Sequence, residues 1–191
     1  TDDGYVYSFG NNTRGQLGTA DVNGSQHPTP VLMRGVGGNG TLGGVVDIAA
    51  GAAHTMLLLG NKTMWIVGDN TEKQLGVDTT KDGNTYTATI VEVDLPVDAN
   101  SSTGDKVEAA ALSAGPYNSA FMTADGRAFV WGNNQYYQVL NDAAGEKVSL
   151  VSQINIPNET SGIVDLQFGG SRSAQTHIAC LLYTSPSPRD S

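Results

Sequence analysis

The chain is poor in cysteine, in basic residues and in long apolar runs, and each shortage removes a class of protein. One cysteine, Cys180, stands among 191 residues. It permits no intrachain disulfide and no cysteine-built zinc cluster. The lack of disulfides leans toward a reducing compartment, although many bacterial exported proteins lack them too, so no compartment is assigned. Lys and Arg total 10 against 19 Asp and Glu, for a net charge of −9. Nucleic-acid backbones and anionic membranes are held by clustered Lys and Arg. No basic stripe occurs, so direct binding to either is not expected. No apolar run approaches the roughly 20 residues of a membrane-spanning helix. The first residues, Thr1-Asp2-Asp3-Gly4, have neither a basic region nor an apolar stretch and read as the interior of a longer protein. Amphipathic helical stretches of useful length are missing too.

The last stretch, Cys180-Leu181-Leu182-Tyr183-Thr184-Ser185-Pro186-Ser187-Pro188-Arg189-Asp190, matches residue for residue the in-frame translation of a transposase-type sequencing adapter. Residues 180–191 are therefore set aside as a non-native tail, the cysteine with them. The fold is expected within residues 1–179.

What is present is repetition. Asp3 to Gly18, Asn61 to Gly76 and Asp125 to Leu140 align without gaps. Their shared skeleton is a turn, an aromatic strand, then Gly-x-Asn-x-x-x-Gln-Leu-Gly. Gly10, Gly68 and Gly132 are spaced 58 and 64 residues apart. A second element recurs between them: Val46 to Thr55, Ala110 to Ser119 and Val164 to Ser173, with Gly51, Gly115 and Gly169 aligned. Two elements repeating in one order define the architecture.

Each copy reads as four short strands. The first is the aromatic strand, in which Tyr5, Tyr7 and Phe9 share a face. The second lies near Pro30–Met33, Thr89–Val93 or Leu150–Ile154. The last two flank the glycine, as in Val45–Ala50 and His54–Leu59. Asp3-Gly4, Gly60-Asn61 and Asp125-Gly126 mark one recurring hairpin turn. A four-stranded unit cannot bury both faces by itself, and radial stacking of such units solves the problem. The expected fold is all-β: a partial β-propeller of four-stranded antiparallel blades, with repeats over approximately 1–59, 60–122 and 123–179.

These residues, above all Gly-x-Asn-x-x-x-Gln-Leu-Gly after an aromatic strand and Ile48-Ala49-Ala50-Gly51-x-x-His54-Thr55, resemble the repeat of the regulator of chromosome condensation family. The resemblance spans about residues 1–179. It implies a seven-bladed ring of which about three blades are present, starting midway through a blade. The second copy carries Asn118, and the third Arg172, where the first has His54. The third also has Val139-Leu140 where the others have Leu-Gly.

Within the repeat, the glycines are expected to serve the backbone. Gln16, Gln74 and Gln138 are expected to bond buried loop backbone. Trp65, Trp131 and His54 read as packing residues. Other motifs fail on context. Gly35-Val36-Gly37-Gly38-Asn39-Gly40 matches G-x-G-x-x-G but lacks the following helix that would place a phosphate. Asp78 to Gly83 resembles part of a calcium loop, but Thr80 and Thr89 stand where ligands are required. His27, His54 and His177 show no zinc spacing. No nucleophile elbow occurs. Sequons at Asn11, Asn23, Asn39, Asn61, Asn100 and Asn158 are expected by chance in a chain rich in Asn, Thr and Ser. No catalytic, cofactor-binding or metal residue is assigned, and the chain does not read as an enzyme.

The expected function is a protein-protein interaction module that presents propeller loops to a partner. Segments Asp21 to Gly44, Asp78 to Tyr86 and Asp94 to Lys106 vary in length between copies and are the candidate contact loops. The resemblance also implies an alternative, guanine nucleotide exchange on a Ran-like small GTPase. A secreted or surface bacterial repeat protein is a third reading. Taken alone, the repeats should be unstable, because the terminal blades leave apolar faces uncovered.

Overall fold

In the computed structural model, residues 3–22, 26–77, 85–139, 147–156, 162–170 and 177–182 are described. They form twelve strands: β1 (Tyr7–Asn11), β2 (Gln26–Leu32), β3 (Val45–Ala50), β4 (His54–Leu59), β5 (Met64–Asp69), β6 (Tyr86–Glu92), β7 (Ala111–Ala114), β8 (Asn118–Met122), β9 (Ala128–Gly132), β10 (Val148–Gln153), β11 (Ile163–Gly169) and β12 (His177–Leu182). Sheets β3-β4-β5-β6 and β7-β8-β9-β10 each have four antiparallel strands, flanked by two-stranded sheets β1-β2 and β11-β12. The all-β blade architecture read from the repeats is the one observed. Each four-stranded sheet joins the end of one sequence repeat to the start of the next. Residues 180–182, expected to lie outside the fold, complete β12 against β11.

Three apolar layers hold neighbouring sheets together. Val6, Met33, Leu57, Val67 and Ile90 lie between the first two sheets. Met56, Met64, Ile66, Leu75, Val93, Phe121, Phe129 and Trp131 lie between the two complete ones. Ala120, Ala128, Val130, Val139, Ile154 and Leu166 lie between the third and fourth. Period-two alternation explains the division. In β5, Met64 and Ile66 face the following sheet and Val67 the preceding one; in β9, Ala128 and Val130 face the following sheet, and Phe129 and Trp131 the preceding one. Phe121 stacks on Phe129 at 4.7 Å between ring centroids. Trp131 is fully buried and its Nε1 donates to the Gln74 carbonyl at 2.9 Å. Trp65 is half-buried against the first layer.

Hydroxyls tie the blades edge to edge as well. Thr55 Oγ1 donates to the Gln16 carbonyl at 2.8 Å, and Ser119 Oγ, one repeat on, donates to the Gln74 carbonyl at 2.6 Å. His54 is buried, its Nε2 3.0 Å from Ser119 Oγ, consistent with a packing role. The aligned residue in the fourth sheet differs from the gapless reading. Gly169 pairs with His177, and a Cβ on Gly169 would lie 2.3 Å from the His177 ring, as one on Gly51 would lie 2.2 Å from His54. His177, not Arg172, is the counterpart of His54. The intervening segment is longer in this copy, which a gapless alignment cannot register. Arg172 lies outside the described residues.

Candidate interaction surface

Strand direction sorts the loops onto two rims. β5 ends at Asp69 and β6 runs back, so the Gly-x-Asn loops and the Gly51 and Gly115 hairpins share one rim. The turns before β5 and β9, and the 93–110 connection, share the other.

On the first rim the same loop is built three times. Asn12, Asn70 and Asn134 accept through Oδ1 from the backbone N–H of Leu17, Leu75 and Val139 at 3.0, 3.0 and 2.9 Å. Gln16, Gln74 and Gln138 accept through Oε1 from the N–H of Arg14, Glu72 and Tyr136 at 2.9, 2.8 and 2.8 Å. Their amides donate back to Asn11, Asp69 and Asn133 at 3.3, 3.2 and 3.2 Å. Each glutamine bonds loop backbone as expected, but that backbone is exposed in the first copy and only partly buried in the other two. These bonds fix the loop and leave its outward residues free to differ: Thr13-Arg14-Gly15, Thr71-Glu72-Lys73 and Gln135-Tyr136-Tyr137.

The third copy presents two adjacent exposed tyrosines. Tyr137 has φ 62°, where its counterparts Gly15 and Lys73 have 72° and 66°. A left-handed tyrosine is strained, by about 1–2 kcal/mol for a residue with a Cβ. Tyr137→Gly is therefore expected to raise stability by about 1 kcal/mol, read as a higher denaturant midpoint. Sequence reasoning passed over this pair. The signal was present as two aromatics aligned with Arg14-Gly15 and Glu72-Lys73 in the other copies. In the neighbouring loops, Lys147 pairs with Glu72 at 3.0 Å and Asn133 donates to Glu72 at 2.7 Å, and one sheet earlier Arg14 lies over the Tyr86 ring at 5.9 Å.

On the second rim, residues 94–106 form a small hairpin, bridged at Val97 and Lys106. Arg127, in the turn before β9, clasps it: Nη1 and Nη2 donate to the two Asp98 carboxylate oxygens at 2.9 and 2.8 Å, and Nε donates to Asp125 at 2.9 Å. An open groove of about 480 Å³ lies between the hairpin and this turn. The Arg127 hydrogen bonds hold both carboxyls below the usual carboxylate range, and the two acids in turn raise the guanidinium pKa. For acids lowered on folding, the clasp is present above the unfolded value near 3.9 and is lost as pH falls through the lower folded values. Below about pH 4 the backbone amides of 97–106 are expected to exchange faster than those of β7–β9, as hydrogen exchange would show. Lys106 pairs with Asp94, which raises its pKa.

The candidate contact segments thus split between the rims. Asp94 to Lys106 lies wholly on the second. Asp21 to Gly44 runs from one rim to the other through β2, with 23–25 outside the described residues. Of Asp78 to Tyr86, only 85 and 86 are described, and the rejected calcium-like stretch falls outside. Gly35 to Gly40 contains a 3-10 turn, Val36–Gly38, and leads into no helix. Among the described residues no helix is long and apolar enough to cross a membrane, and no group of three or more His, Cys, Asp or Glu is placed to hold a metal ion.

Comparison with known proteins agrees with the blade geometry. Sequence profiles described as "Regulator of chromosome condensation (RCC1) repeat" match residues 3–58, 45–74 and 109–138. The human X-linked retinitis pigmentosa GTPase regulator is 32% identical over 135 residues, covering 70% of this chain and 12% of the relative. The Xenopus laevis regulator of chromosome condensation is 28% identical over 187 residues, 95% of this chain and 38% of its own length. The crystal structure of Prp20p from Saccharomyces cerevisiae, reported with its binding to Gsp1p and histones, superposes with a TM-score of 0.72 at 19% identity, over 97% of this chain and 41% of that one. The chain therefore spans well under half the length of these relatives.

Proposed function

The chain belongs to the regulator of chromosome condensation repeat family, and from that premise we propose that it is a protein-interaction module whose contact surface is the rim of Gly-x-Asn loops. One observation carries this reading. The same hydrogen bonds build each loop, while the outward residues change from Arg14 to Glu72 to the Tyr136–Tyr137 pair. A fixed scaffold with varied outward residues is how loops serve recognition. Tyrosine supplies large, rigid contact area at small entropic cost. The test compares retention of host proteins by the full chain, a Tyr136→Ala/Tyr137→Ala variant and an Asp105→Ala/Glu108→Ala variant. A partner retained by the first and third but lost by the second supports the reading. Equal retention by all three, or turnover of a small substrate with no protein retained, overturns it.

Guanine nucleotide exchange on a Ran-like GTPase is the second reading. Its support is the printed names of relatives: a GTPase regulator, and a yeast protein with measured binding to Gsp1p. Release of a fluorescent guanine nucleotide from such a GTPase is the readout, and absence of acceleration removes the reading.

A further inference from the structure

The groove beside the Arg127 clasp is one of two hollows on the second rim. The other, of about 500 Å³, lies between the turn before β9 and the start of β11. Thr123, Ala124 and Asp125 line both, so the hollows adjoin across this turn. The turn is tight, closed by the Gly126 N–H donating to the Thr123 carbonyl at 3.1 Å. At its crest stands Ala124, small and exposed. The residues described along the two hollows lie between 98 and 164, clear of both chain ends.

The hollows differ in chemistry. The first carries four acids, Asp98, Asp105, Glu108 and Asp125, and two cations, Lys106 and Arg127. Both cations are already committed. Arg127 bonds Asp98 and Asp125, and Lys106 bonds Asp94. Asp105 accepts only from the Ser101 and Thr103 hydroxyls and the exposed Glu108 has no ion-pair partner, among the described residues. Two carboxylates are thus left without a cation. Among the described residues no group of three or more His, Cys, Asp or Glu is placed to hold a metal ion, so the complement is a single cationic side chain. The second hollow is lined by Ala111, Met122, Ile163 and Val164, the last 49% exposed. There the Ile163 N–H and the Gly126 carbonyl bond each other at 2.8 Å, so these lining groups offer a ligand mainly apolar surface.

We propose that the second rim docks a short segment of a partner protein that crosses the turn at Ala124. It places a Lys or Arg between Asp105 and Glu108 and, a few residues away, a large apolar side chain against Met122 and Val164. The clasp favours this use. Arg127 fixes the 94–106 hairpin to the turn, so the wall of the first hollow is in place before binding, which lowers the ordering cost. The surface lies on the rim opposite the Tyr136–Tyr137 pair and does not depend on it.

The test pans a phage-displayed library of random dodecamer peptides on the full chain and measures synthetic copies of the enriched peptides by fluorescence polarisation. Enriched peptides should share a Lys or Arg a few residues from Leu, Ile, Met or Phe. Asp105→Asn/Glu108→Gln, which removes the charges and keeps hydrogen-bonding groups, should weaken their binding roughly tenfold. Ala124→Trp, which raises the crest between the hollows, should weaken it by a similar factor. All three positions are exposed, so the thermal midpoint should stay that of the parent. Tyr136→Ala/Tyr137→Ala should bind the peptides as the parent does, which separates this surface from the tyrosine rim. No enrichment, enriched peptides without a basic residue, or equal binding by the parent and the groove variants would overturn the proposal.

Discussion

Replacing Trp131 with alanine is expected to cost about 3–5 kcal/mol, the range for deleting a buried large aromatic side chain. That is a large fraction of the roughly 5–15 kcal/mol that holds a typical domain together. The indole fills the layer between the two complete sheets, edge-on to Phe121 at 6.3 Å, and its Nε1 bonds the Gln74 carbonyl. Ser119 still reaches that carbonyl in the variant, so the loss comes mainly from the cavity and not from an orphaned acceptor. The control is Phe9→Ala. It changes the aligned position of another repeat, but Phe9 stands exposed. Its effect should stay within about 0.5 kcal/mol. Denaturant midpoints of the two variants should separate widely. Equal midpoints would mean that the layer between the complete sheets is not what holds them.

The contrast between these two positions shows where sequence reading stops. Period two put Tyr5, Tyr7 and Phe9 on one face, and the structure keeps Tyr7 and Phe9 together. Whether a face is covered depends on a neighbouring sheet, which no local pattern encodes. β3 and β4 lie at the expected residues because apolar alternation and a tight glycine hairpin bound both. β1 lies two residues later than expected and β6 starts three residues earlier, since strand ends are fixed by pairing partners distant in sequence. The loop glutamines were legible because a buried amide at a fixed offset in a turn has few partners other than backbone. The Arg127–Asp98 clasp was not: its residues are 29 apart and belong to a turn and an insertion with no repeat to align them. His177 was hidden by the longer hairpin segment that precedes it.

Gly132→Ala is expected to be the most disruptive small substitution in the complete sheets, and Gly10→Ala the revealing comparison. Both glycines have left-handed backbones, with φ 110° and 106°. Each substitution therefore carries a strain of order 1–2 kcal/mol. Only at Gly132 does the new Cβ also press on main chain, 2.4 Å from the Tyr117 carbonyl and 3.0 Å from the Asn118 Cα. Backbone in a paired strand cannot yield as a side-chain tip can. Gly132→Ala should therefore separate β9 from β8, cost more than about 3 kcal/mol and abolish a cooperative melt. Gly10→Ala, whose Cβ meets nothing within 4 Å, should cost only the strain. Denaturant midpoints of the two variants measured side by side read the difference. Equal losses would show that the close approach of the Tyr117 carbonyl to Gly132 does not matter to the sheet.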